Sequence, residues 1–555
     1  MSSVLVFVFW AVIVVVGYFL YSRWVNLRVF EADSGRATPA KMFMDGVDFM
    51  PANKNILYGF QLNSIAGAAP IIGPIIALQW GWLPAMLWLG LGVLFIGWVQ
   101  DYSSCMVSVR SDGDTFGALS YKLISSRARV ILLIFVYFYL LLIAAAFGNV
   151  ISKLLSTNTS LPFPMIVIVV VSLFVGQMIY RWKVNILVTT ATAVIAIFIA
   201  IGLGKYIAIP GTFTIMLIAL LIFGYFSSVL PVWRFIQPFN YSSVYVVYGG
   251  IIMGVVGLLI AHKPITLPAY TNFSIGMGPL WPLLFVTIAC GAISGWHSLV
   301  SSTGTSRQIA NEMDVRPVAA GAMFAEFTIA IIAVVICATA FGNASEYISV
   351  ALKNPAAVFT KGLANAMATL GIPAGYGVAY GGVMILVLAM TVVNLVFRFM
   401  KVATAELLGE RITLAKNGHV ATIIAAILAY ILIQTGTFRY VWVLFGGSNQ
   451  LMAALALMIV TLFMLSKSKT YAFALYPMLF MYVTTVAALI YISVKLLSQV
   501  ATGQVVGAKL AGNLIAGGLG VLLVICALVL AYDGLVAFRR HKAEQISAGA
   551  EKARA

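Results

Sequence analysis

The sequence predicts an all-α polytopic membrane protein, and its composition and segment lengths support that prediction. Hydrophobic residues make up 62% of the 555 residues, charged residues make up 9%, and the mean hydropathy is +1.04. Apolar segments of about 20 residues, the length that spans a bilayer, follow one another along the chain. We expect about 15 transmembrane helices. The short stretches between them leave no room for a soluble catalytic domain.

The order of these segments divides the chain into three parts. They are a first transmembrane helix with an inner loop (residues 1–54), a core (55–436), and C-terminal transmembrane helices with a short basic cytoplasmic tail (437–555). Within the core, residues 343–373 form an outer segment with apolar residues at helical spacing. These are Phe359, Leu363, Met367 and Leu370. They predict an amphipathic helix at the membrane interface, either a lid over an outer vestibule or a cover on the bundle surface.

The net charge of +17 is distributed unevenly along the chain. With the N-terminus outside and the C-terminus inside, the outer segments hold eight of the 33 basic residues: Lys153, Lys205, Lys263, Lys353, Lys361, Arg439, Lys495 and Lys509. All other basic residues lie on the inner side, as the positive-inside rule requires. The excess of basic residues therefore reflects the orientation of the protein in the membrane and does not indicate a nucleic-acid partner.

The four cysteines predict neither a disulfide nor a metal site. Cys105, Cys290, Cys337 and Cys526 all lie in apolar segments, with no C-x-x-C spacing. Such cysteines usually act as small core residues, so we expect no metal and no cofactor. The first apolar segment follows no basic region and is long enough to span. It is expected to be a transmembrane helix and not a cleaved signal peptide.

Two prolines and two glycines interrupt the second predicted span within Ile65–Pro74. Each proline removes a backbone donor, and each glycine relaxes the backbone: Pro70, Pro74, Gly67 and Gly73. Freed backbone groups are tolerated at membrane depth only where protein buries them or where they line a polar cavity. The sequence therefore predicts a discontinuous helix with exposed helix ends.

A second interruption is predicted five spans later, at Phe226–Pro231, which contains Ser227 and Ser228. Paired interruptions in corresponding spans indicate a binding site built from inverted repeats. An odd offset also makes the two broken helices run in opposite directions through the membrane. We therefore expect a five-plus-five inverted-repeat core.

Two further polar stretches lie in later spans. Residues 290–305 of the ninth span place Ser294, His297 and Ser301 on one helix face. That face is expected to point into the bundle, because too many polar groups are present for a lipid-facing surface. The stretch Phe445–Gln450 is expected to interrupt the thirteenth span.

Ionisable residues inside spans are functional candidates, because an unpaired charge there is costly. Glu326 is expected near the midplane, as a proton-carrying carboxylate or as a buried acid fixed by hydrogen bonds. Asp101 lies near an inner end, where a structural link to Arg110 or to another inner-end basic group is favoured. His297 is either a packing residue or a site residue. Asp533, close to an inner end, is expected to have a structural role.

Motifs in chain order between residues 46 and 465 resemble those of one family. They are Gly46–Lys54, Ile65–Pro74, Gly97–Asp101, Ser228–Trp233, Ala289–Ser298, Asn311–Asp314, Gly321–Glu326 and Phe445–Gln450. On these motifs the chain resembles the carbon starvation protein A family of transporters. The resemblance implies a LeuT-like fold, the cytoplasmic membrane of a prokaryote and a role in carbon-starvation stress. It also implies peptide uptake, with pyruvate as the substrate of close relatives.

The chain departs from the family pattern at two places. Phe60-Gln61 stands where many relatives have a His-His pair, and Asn394 replaces the aspartate of a T-x-x-D-x-x-x-R motif that here runs from Thr391 to Arg398. A neutral amide cannot alternate between pairing with arginine and carrying a proton. Proton coupling would then require another ionisable group, and sodium coupling stays open.

Motifs and resemblance together predict a secondary active symporter that imports peptides. The alternatives are a pyruvate:cation symporter, a passive channel and a nutrient sensor without transport. No nucleophile–base pair predicts an enzyme. The expected substrate-binding residues are Gly67, Ala68, Ala69, Pro70, Gly73, Ser227, Ser228, Ser294, His297 and Ser301. The expected residues for coupling to H⁺ or Na⁺ are Glu326, Asp101, Asn394, Arg398 and Thr391. The expected partners are a small-molecule substrate and the lipid bilayer.

Overall fold

Helices form almost all of the structure, which is a computed structural model. It describes residues 1–45, 49–231, 234–351, 354–409 and 412–554, with side chains to residue 547. Gly46–Asp48 of the first family motif, Trp233 and Lys353 lie outside the described residues. Twelve described helices are long and apolar enough to cross a membrane, or up to thirteen if one bent pair is a single span. The all-α polytopic fold is confirmed, while the total of about 15 spans and the orientation stay predictions.

The first part of the chain folds into eight helices. They are α1 Ser3–Val16, α2 Pro39–Met42, α3 Lys54–Ile65, α4 Ala69–Ala77, α5 Trp82–Gly92, α6 Trp98–Val109, α7 Phe116–Leu123 and α8 Ser126–Thr157. π-Helical turns at Gly17–Ser22 and Val25–Val29 extend α1, and one at Val93–Gly97 joins α5 to α6. The side chains of Asn53 and Ser125 accept hydrogen bonds from first-turn amides and so cap α3 and α8.

Seven helices and one small hairpin follow. They are α9 Pro162–Tyr180, α10 Ile186–Leu203, α11 Phe213–Val229, α12 Ile236–Ala261, β1 Ser274–Ile275, β2 Gly278–Pro279, α13 Leu280–Thr287, α14 Gly295–Val300 and α15 Gly321–Ala338. The two strands pair antiparallel immediately before α13. Residues 288–294 between α13 and α14 are not helical. π-Helical turns at Ser301–Thr305 and Arg316–Ala320 continue α14 and lead into α15.

The last part of the chain contains seven helices. They are α16 Ala344–Ala351, α17 Pro355–Ala368, α18 Ala374–Leu408, α19 Gly418–Thr435, α20 Phe438–Ser466, α21 Ala472–Ala501 and α22 Ala508–Arg554. The spanning window of α20 is completely buried by its neighbours, whereas only a third of that in α21 is buried. The helix α20 therefore lies at the centre of the bundle, and α21 and α22 pack on its outside.

Two of the predicted interruptions are wrong. The helix α11 runs unbroken to Val229 and ends there, because Pro231 disfavours helical geometry in the residue before it. The stretch Phe445–Gln450 lies inside the continuous helix α20. Its Gly446 serves close packing, since a Cβ atom there would lie 1.9 Å from the carbonyl oxygen of Val286.

The second discontinuous helix is α13–α14, the polar ninth segment. It lies seven predicted spans after α3–α4, and the two additional helices are α9 and α10, which pack on each other and are largely exposed. Without that pair, the core contains two series of five. The first is α3–α4, α5–α6, α8, α11 and α12, and the second is α13–α14, α15, α18, α19 and α20. The structure agrees with a five-plus-five core whose second series begins at α13.

The amphipathic helix predicted in residues 343–373 is α17. Its side chains Phe359, Leu363 and Met367 are fully buried against α12, α15 and α18. The helix therefore packs against the bundle, and because it also contacts α4, both the lid and the cover stay predictions. The preceding α16 reaches the first broken helix, because the buried Tyr347 hydroxyl donates a hydrogen bond to the carbonyl oxygen of Ile75.

Candidate functional site

The first break separates α3 from α4, which are bent by 44° relative to each other. The amide of Gly67 turns back to the carbonyl of Ile65 at 2.8 Å, and Pro70 has no N–H to donate. The amides of Ala68 and Ala69 have no hydrogen-bond partner among the described residues. Unpaired N–H groups at the start of a helix attract negative charge.

Both glycines of this break are required for close helix contacts. A Cβ atom on Gly67 would lie 2.7 Å from Val392 Cγ2 on α18. A Cβ atom on Gly73 would lie 2.5 Å from the carbonyl oxygen of Thr287, at the end of α13. The absence of a side chain thus allows α4 to pack directly on the second broken helix.

The two broken helices cross in opposite directions. The first half of one contacts the second half of the other, since α3 packs on α14 and α4 packs on α13. The indole N–H of Trp296 in α14 donates to the carbonyl of Ser64 at 2.8 Å. A carbonyl near the broken end of α3 is therefore satisfied by the partner helix.

Asn449 of α20 satisfies the backbone of the second break. Its Nδ2 donates to the carbonyl of Ala289 at 2.9 Å, and its Oδ1 accepts from the amide of Trp296 at 3.1 Å. The side-chain amide of Asn449 also forms hydrogen bonds with the hydroxyls of Tyr139, at 2.5 Å, and Ser294. One buried amide thus connects the break to α8 and α20.

The end of α13 is satisfied in the same way by neighbouring side chains on α20. Gln450 Nε2 donates to the carbonyls of Phe285 and Ile288, each at 2.9 Å. The indole of Trp442 donates to the carbonyl of Thr287 at 3.1 Å. Side chains of α20 therefore bond four carbonyls at the second break, those of Phe285, Thr287, Ile288 and Ala289.

A cluster of three buried ionisable side chains lies beside this crossing. His297 of α14 lies between Asp101 of α6 and Glu326 of α15, with Nδ1 2.7 Å from Asp101 Oδ2 and Nε2 3.0 Å from Glu326 Oε2. All three side chains have no exposed surface. Glu326 Oε1 also accepts from the amide of Gly291 in the second break, at 3.3 Å.

Cys290 borders this cluster. One ligand atom from each of Cys290, His297 and Glu326 lies within 4.8 Å of the other two. The sequence interpretation of Cys290 as a plain core residue missed this neighbourhood, because Glu326 lies on a separate helix and Cys290 lies in the non-helical break before α14. Gln100 lies next to Asp101. With the Gln100 amide oriented so that both its nitrogen and its oxygen have partners, the nitrogen donates to Asp101 Oδ1 at 2.7 Å.

The predicted link from Asp101 to Arg110 is wrong. Arg110 Nε instead lies 2.6 Å from Oε1 of Glu312, a buried carboxylate that the sequence interpretation did not single out. Asp101 is consequently available to His297. Asp533 has the structural role expected of it, since it pairs with Arg127 of α8, Nε to Oδ2 at 3.0 Å.

Ser301 lies one turn beyond the cluster and faces α3. Gln61 Nε2 donates to Ser301 Oγ at 3.0 Å, and the hydroxyl of Thr305 donates to Gln61 Oε1. The neutral Gln61 therefore makes two hydrogen bonds between the broken helices at a position where many relatives are expected to have histidine.

The other predicted residues form a second group on α11 and α18. Ser227 Oγ lies 3.4 Å from the carbonyl of Asn394, and Ser228 Oγ lies 2.9 Å from the hydroxyl of Thr422 on α19. Thr391 bonds within its own helix. Arg398 donates to the carbonyl of Leu230, at the end of α11.

The Asn394 side chain is fully buried, and neither its Oδ1 nor its Nδ2 has a hydrogen-bond partner among the described residues. The structure thus separates the predicted site residues into two groups. Around the crossing of the broken helices lie Gly67, Ala68, Ala69, Pro70, Gly73, Asp101, Ser294, His297, Ser301 and Glu326. On α11 and α18 lie Ser227, Ser228, Thr391, Asn394 and Arg398.

The sequence interpretation missed the roles of several polar residues, chiefly Asn449, Gln450, Trp296 and Cys290. A usable signal was present for the first two. They are adjacent amides in the middle of an apolar helix of 29 residues. A polar pair in such a place must find partners inside the bundle, and the nearest source of unpaired backbone is a broken helix.

Comparison with known proteins adds a family assignment. The family model described as "Carbon starvation protein CstA" matches residues 2–351 and 338–488. The peptide transporter CstA of Escherichia coli K12 is 34% identical over 337 residues, which cover 58% of this chain and 48% of that protein. The pyruvate/proton symporter BtsT of the same strain is 33% identical over 334 residues, 58% of this chain and 47% of that protein.

The chain spans about half the length of these curated relatives. The peptide transporter CstA of Bacillus subtilis 168 aligns over more of its length, at 27% identity over 539 residues, covering 87% of this chain and 89% of that protein. Among solved structures, MhsT in complex with L-phenylalanine is similar at a TM-score of 0.47 and 12% identity, covering 87% of this chain and 99% of that one.

A manganese transporter of Eremococcus coleocola gives a TM-score of 0.40 at 13% identity, covering 89% of this chain and 98% of that one. The apolar helices and the bacterial relatives identify a multi-pass protein of the cytoplasmic (inner) membrane. The family model matches most of the chain, including the segments that contain both broken helices. The chain therefore belongs to the carbon starvation protein CstA family.

Proposed function

We propose that this protein is a secondary active transporter that imports peptides, driven by a cation gradient. The observation that carries the proposal is the pair of amides, Ala68 and Ala69, at the start of α4, which have no hydrogen-bond partner in the part of the chain that the structure describes. They lie at a break between crossing helices, the arrangement in which transporters of inverted-repeat design bind their substrates. Relatives named peptide transporter CstA support the same substrate.

The start of α4 suits the carboxylate of a peptide. A helix N-terminus presents N–H donors and the positive end of the helix dipole, and both favour an anion. Pro70 at the second position of α4 keeps the helix start fixed without needing a hydrogen bond. In the second break, Asn449 and Gln450 bond the carbonyls of Ala289 and Ile288, so these carbonyls are already occupied.

We assign cation coupling to the cluster of Asp101, His297 and Glu326. Two carboxylates flank one imidazole in a fully buried site, so the cluster attracts a cation. Glu326 also bonds the second break through the amide of Gly291, which links cation binding to the position of that break. The neutral Asn394 makes the group on α18 a poorer candidate for this role.

Pyruvate is the second candidate substrate. The relative named pyruvate/proton symporter BtsT has nearly the same identity to this chain as the peptide transporters. A carboxylate is common to peptides and pyruvate, so the start of α4 could hold either. The substrate must therefore be distinguished by an uptake measurement.

The proposal is tested with purified protein reconstituted in liposomes. Uptake of a labelled dipeptide and of labelled pyruvate is measured under an imposed proton or sodium gradient. We expect the dipeptide to accumulate against its gradient, and Glu326→Gln to abolish accumulation. Accumulation of pyruvate alone would identify a monocarboxylate symporter, equilibration without accumulation a channel, and binding without uptake a sensor.

Glu346→Gln is the matched control for this experiment. Glu346 is an exposed carboxylate on α16, and the hydrogen bond from Lys361 holds the pKa of its carboxyl group below the usual range. It is therefore charged at neutral pH, as a surface glutamate normally is. Removing this charge should leave accumulation unchanged, which separates loss of the buried site from loss of any negative charge.

A further inference from the structure

We propose that Cys290, His297 and Glu326 form a binding site for one divalent transition-metal ion, with zinc(II) as the best match. Their ligand atoms lie within 4.8 Å of one another, and all three side chains are buried. They come from the second break, from α14 and from α15. A metal ion at this point would connect three separate elements.

The facing atoms of His297 and Glu326 carry the argument. Nδ1 of His297 bonds Asp101 at 2.7 Å, so a proton held there leaves Nε2 as an acceptor. Nε2 lies 3.0 Å from Oε2 of Glu326, and neither atom has a hydrogen-bond partner among the described residues. Two buried acceptors at this distance repel each other unless a proton or a metal cation lies between them.

Asp101 has the position of an outer partner in a metal site. Histidines that bind metals usually donate their other ring N–H to a carboxylate, which fixes the tautomer and makes the metal-binding nitrogen more basic. Here Asp101 bonds Nδ1 of His297, while Nε2 faces Glu326. This is the same division of roles between the two ring nitrogens.

Cys290 favours a transition metal over a proton or sodium ion. A proton between His297 and Glu326 needs no third group, and hard cations prefer oxygen ligands. Thiolate, imidazole and carboxylate are all common zinc ligands, at about 2.0–2.3 Å. These bond lengths place tetrahedral ligand atoms about 3.2–3.8 Å apart. The cluster would therefore close around zinc with a shift of about 1 Å.

The charge balance also suits a membrane interior. Zinc(II) neutralises its thiolate and carboxylate ligands, so one negative charge, that of Asp101, remains in the cluster and the cost of burial is lowered. The bound metal would hold Cys290 and His297 against α15 and so oppose movement of the second broken helix. This consequence for transport rests on the proposed function, whereas metal binding itself does not.

The test is a cobalt(II) titration of the purified protein in lipid nanodiscs. We expect one cobalt ion per protein and a thiolate-to-cobalt charge-transfer band, which zinc removes by displacement. Cys290→Ala should abolish the band. The matched control, Cys337→Ala, should retain it, because Cys337 is a buried cysteine of α15 outside the cluster. Asp101→Asn should weaken metal binding by about 10- to 100-fold.

Absence of bound cobalt, or a charge-transfer band that persists in Cys290→Ala, would overturn the proposal. Should Cys290→Ala fail to fold, Cys290→Ser removes the thiolate with little change in volume and gives the same test. In the uptake assay, zinc should inhibit the parent protein and Cys337→Ala but not Cys290→Ala. If no protein takes up peptide, the proposed function fails, while the cobalt spectrum still decides whether the metal site exists.

Discussion

Trp296 and Ser64 join the two broken helices through a hydrogen bond of 2.8 Å between the indole N–H and a backbone carbonyl. Trp296→Phe removes the donor and leaves a buried carbonyl unpaired, which should cost about 1–3 kcal/mol of stability. Thermal unfolding in detergent measures the loss. Trp182→Phe, at a half-exposed position, is the control and should unfold at the parent temperature. Equal unfolding temperatures for both variants would contradict the assigned role.

Gly67→Val should abolish peptide uptake while the protein still inserts and purifies. A Cβ atom on Gly67 would lie 2.7 Å from Val392, so the side chain would force the break away from α18. Gly59→Val, on the preceding helix α3, is the control, because no atom lies within 4 Å of a Cβ atom placed at Gly59. Normal uptake by Gly67→Val in liposomes would remove the first break from the substrate site.

Two buried asparagines should respond oppositely to replacement by leucine. Asn449→Leu leaves the carbonyl of Ala289 and the amide of Trp296 without partners and should destabilise the protein by about 2 kcal/mol or more. Asn394→Leu removes two buried polar atoms that have no partners among the described residues, so stability should be unchanged or higher. Unfolding temperatures of the two variants decide this, and a larger loss in Asn394→Leu would contradict it.

Asn394→Leu also tests the coupling assignment. If cation coupling depends on the cluster around His297, the variant should still accumulate dipeptide under an imposed ion gradient. If accumulation is lost while passive equilibration remains, the coupling site must include α18. The comparison uses the same liposome assay as Glu326→Gln.

Glu312 is a buried carboxylate with two arginine partners, and the two should contribute unequally. Arg110 lies 2.6 Å from Glu312 and is 14% exposed, whereas Arg36 lies 3.2 Å away and is 46% exposed. Arg110→Gln should therefore cost about 3 kcal/mol. Arg36→Gln should cost less than about 1 kcal/mol, as exposed ion pairs do. Thermal unfolding of both variants checks the order, and a reversed order would contradict it.

Much of the fold could be predicted because its causes are local. Gly67 and Pro70 lie at the break between α3 and α4, as the sequence predicts, whereas Pro74 lies within the continuous helix α4. The second break was assigned to Phe226–Pro231, because a proline that ends a helix leaves the same sequence pattern as one that interrupts a span. The additional pair α9–α10 also increases the offset between the two broken helices from five predicted spans to seven.

The site residues were predictable one at a time but not as a cluster. Asp101, His297 and Glu326 stand out because charges are rare in apolar segments. Their contact depends on how α6, α14 and α15 pack, and spacing along the chain carries no such information. The pairing of Asp101 with Arg110 assumes that residues close in sequence form the ion pair. It is wrong because Arg110 pairs with Glu312 instead.

The burial of α20 has a consequence for membrane insertion. Asn449 and Gln450 would be costly against lipid, and their backbone partners in residues 285–296 are synthesised much earlier. The non-helical segment 288–294 therefore enters the membrane with polar backbone that no later helix yet covers. A ribosome that stops before α20 leaves that polar segment open to lipid or water. We therefore expect the backbone around residues 288–294 to gain these side-chain partners only when the thirteenth predicted span is inserted.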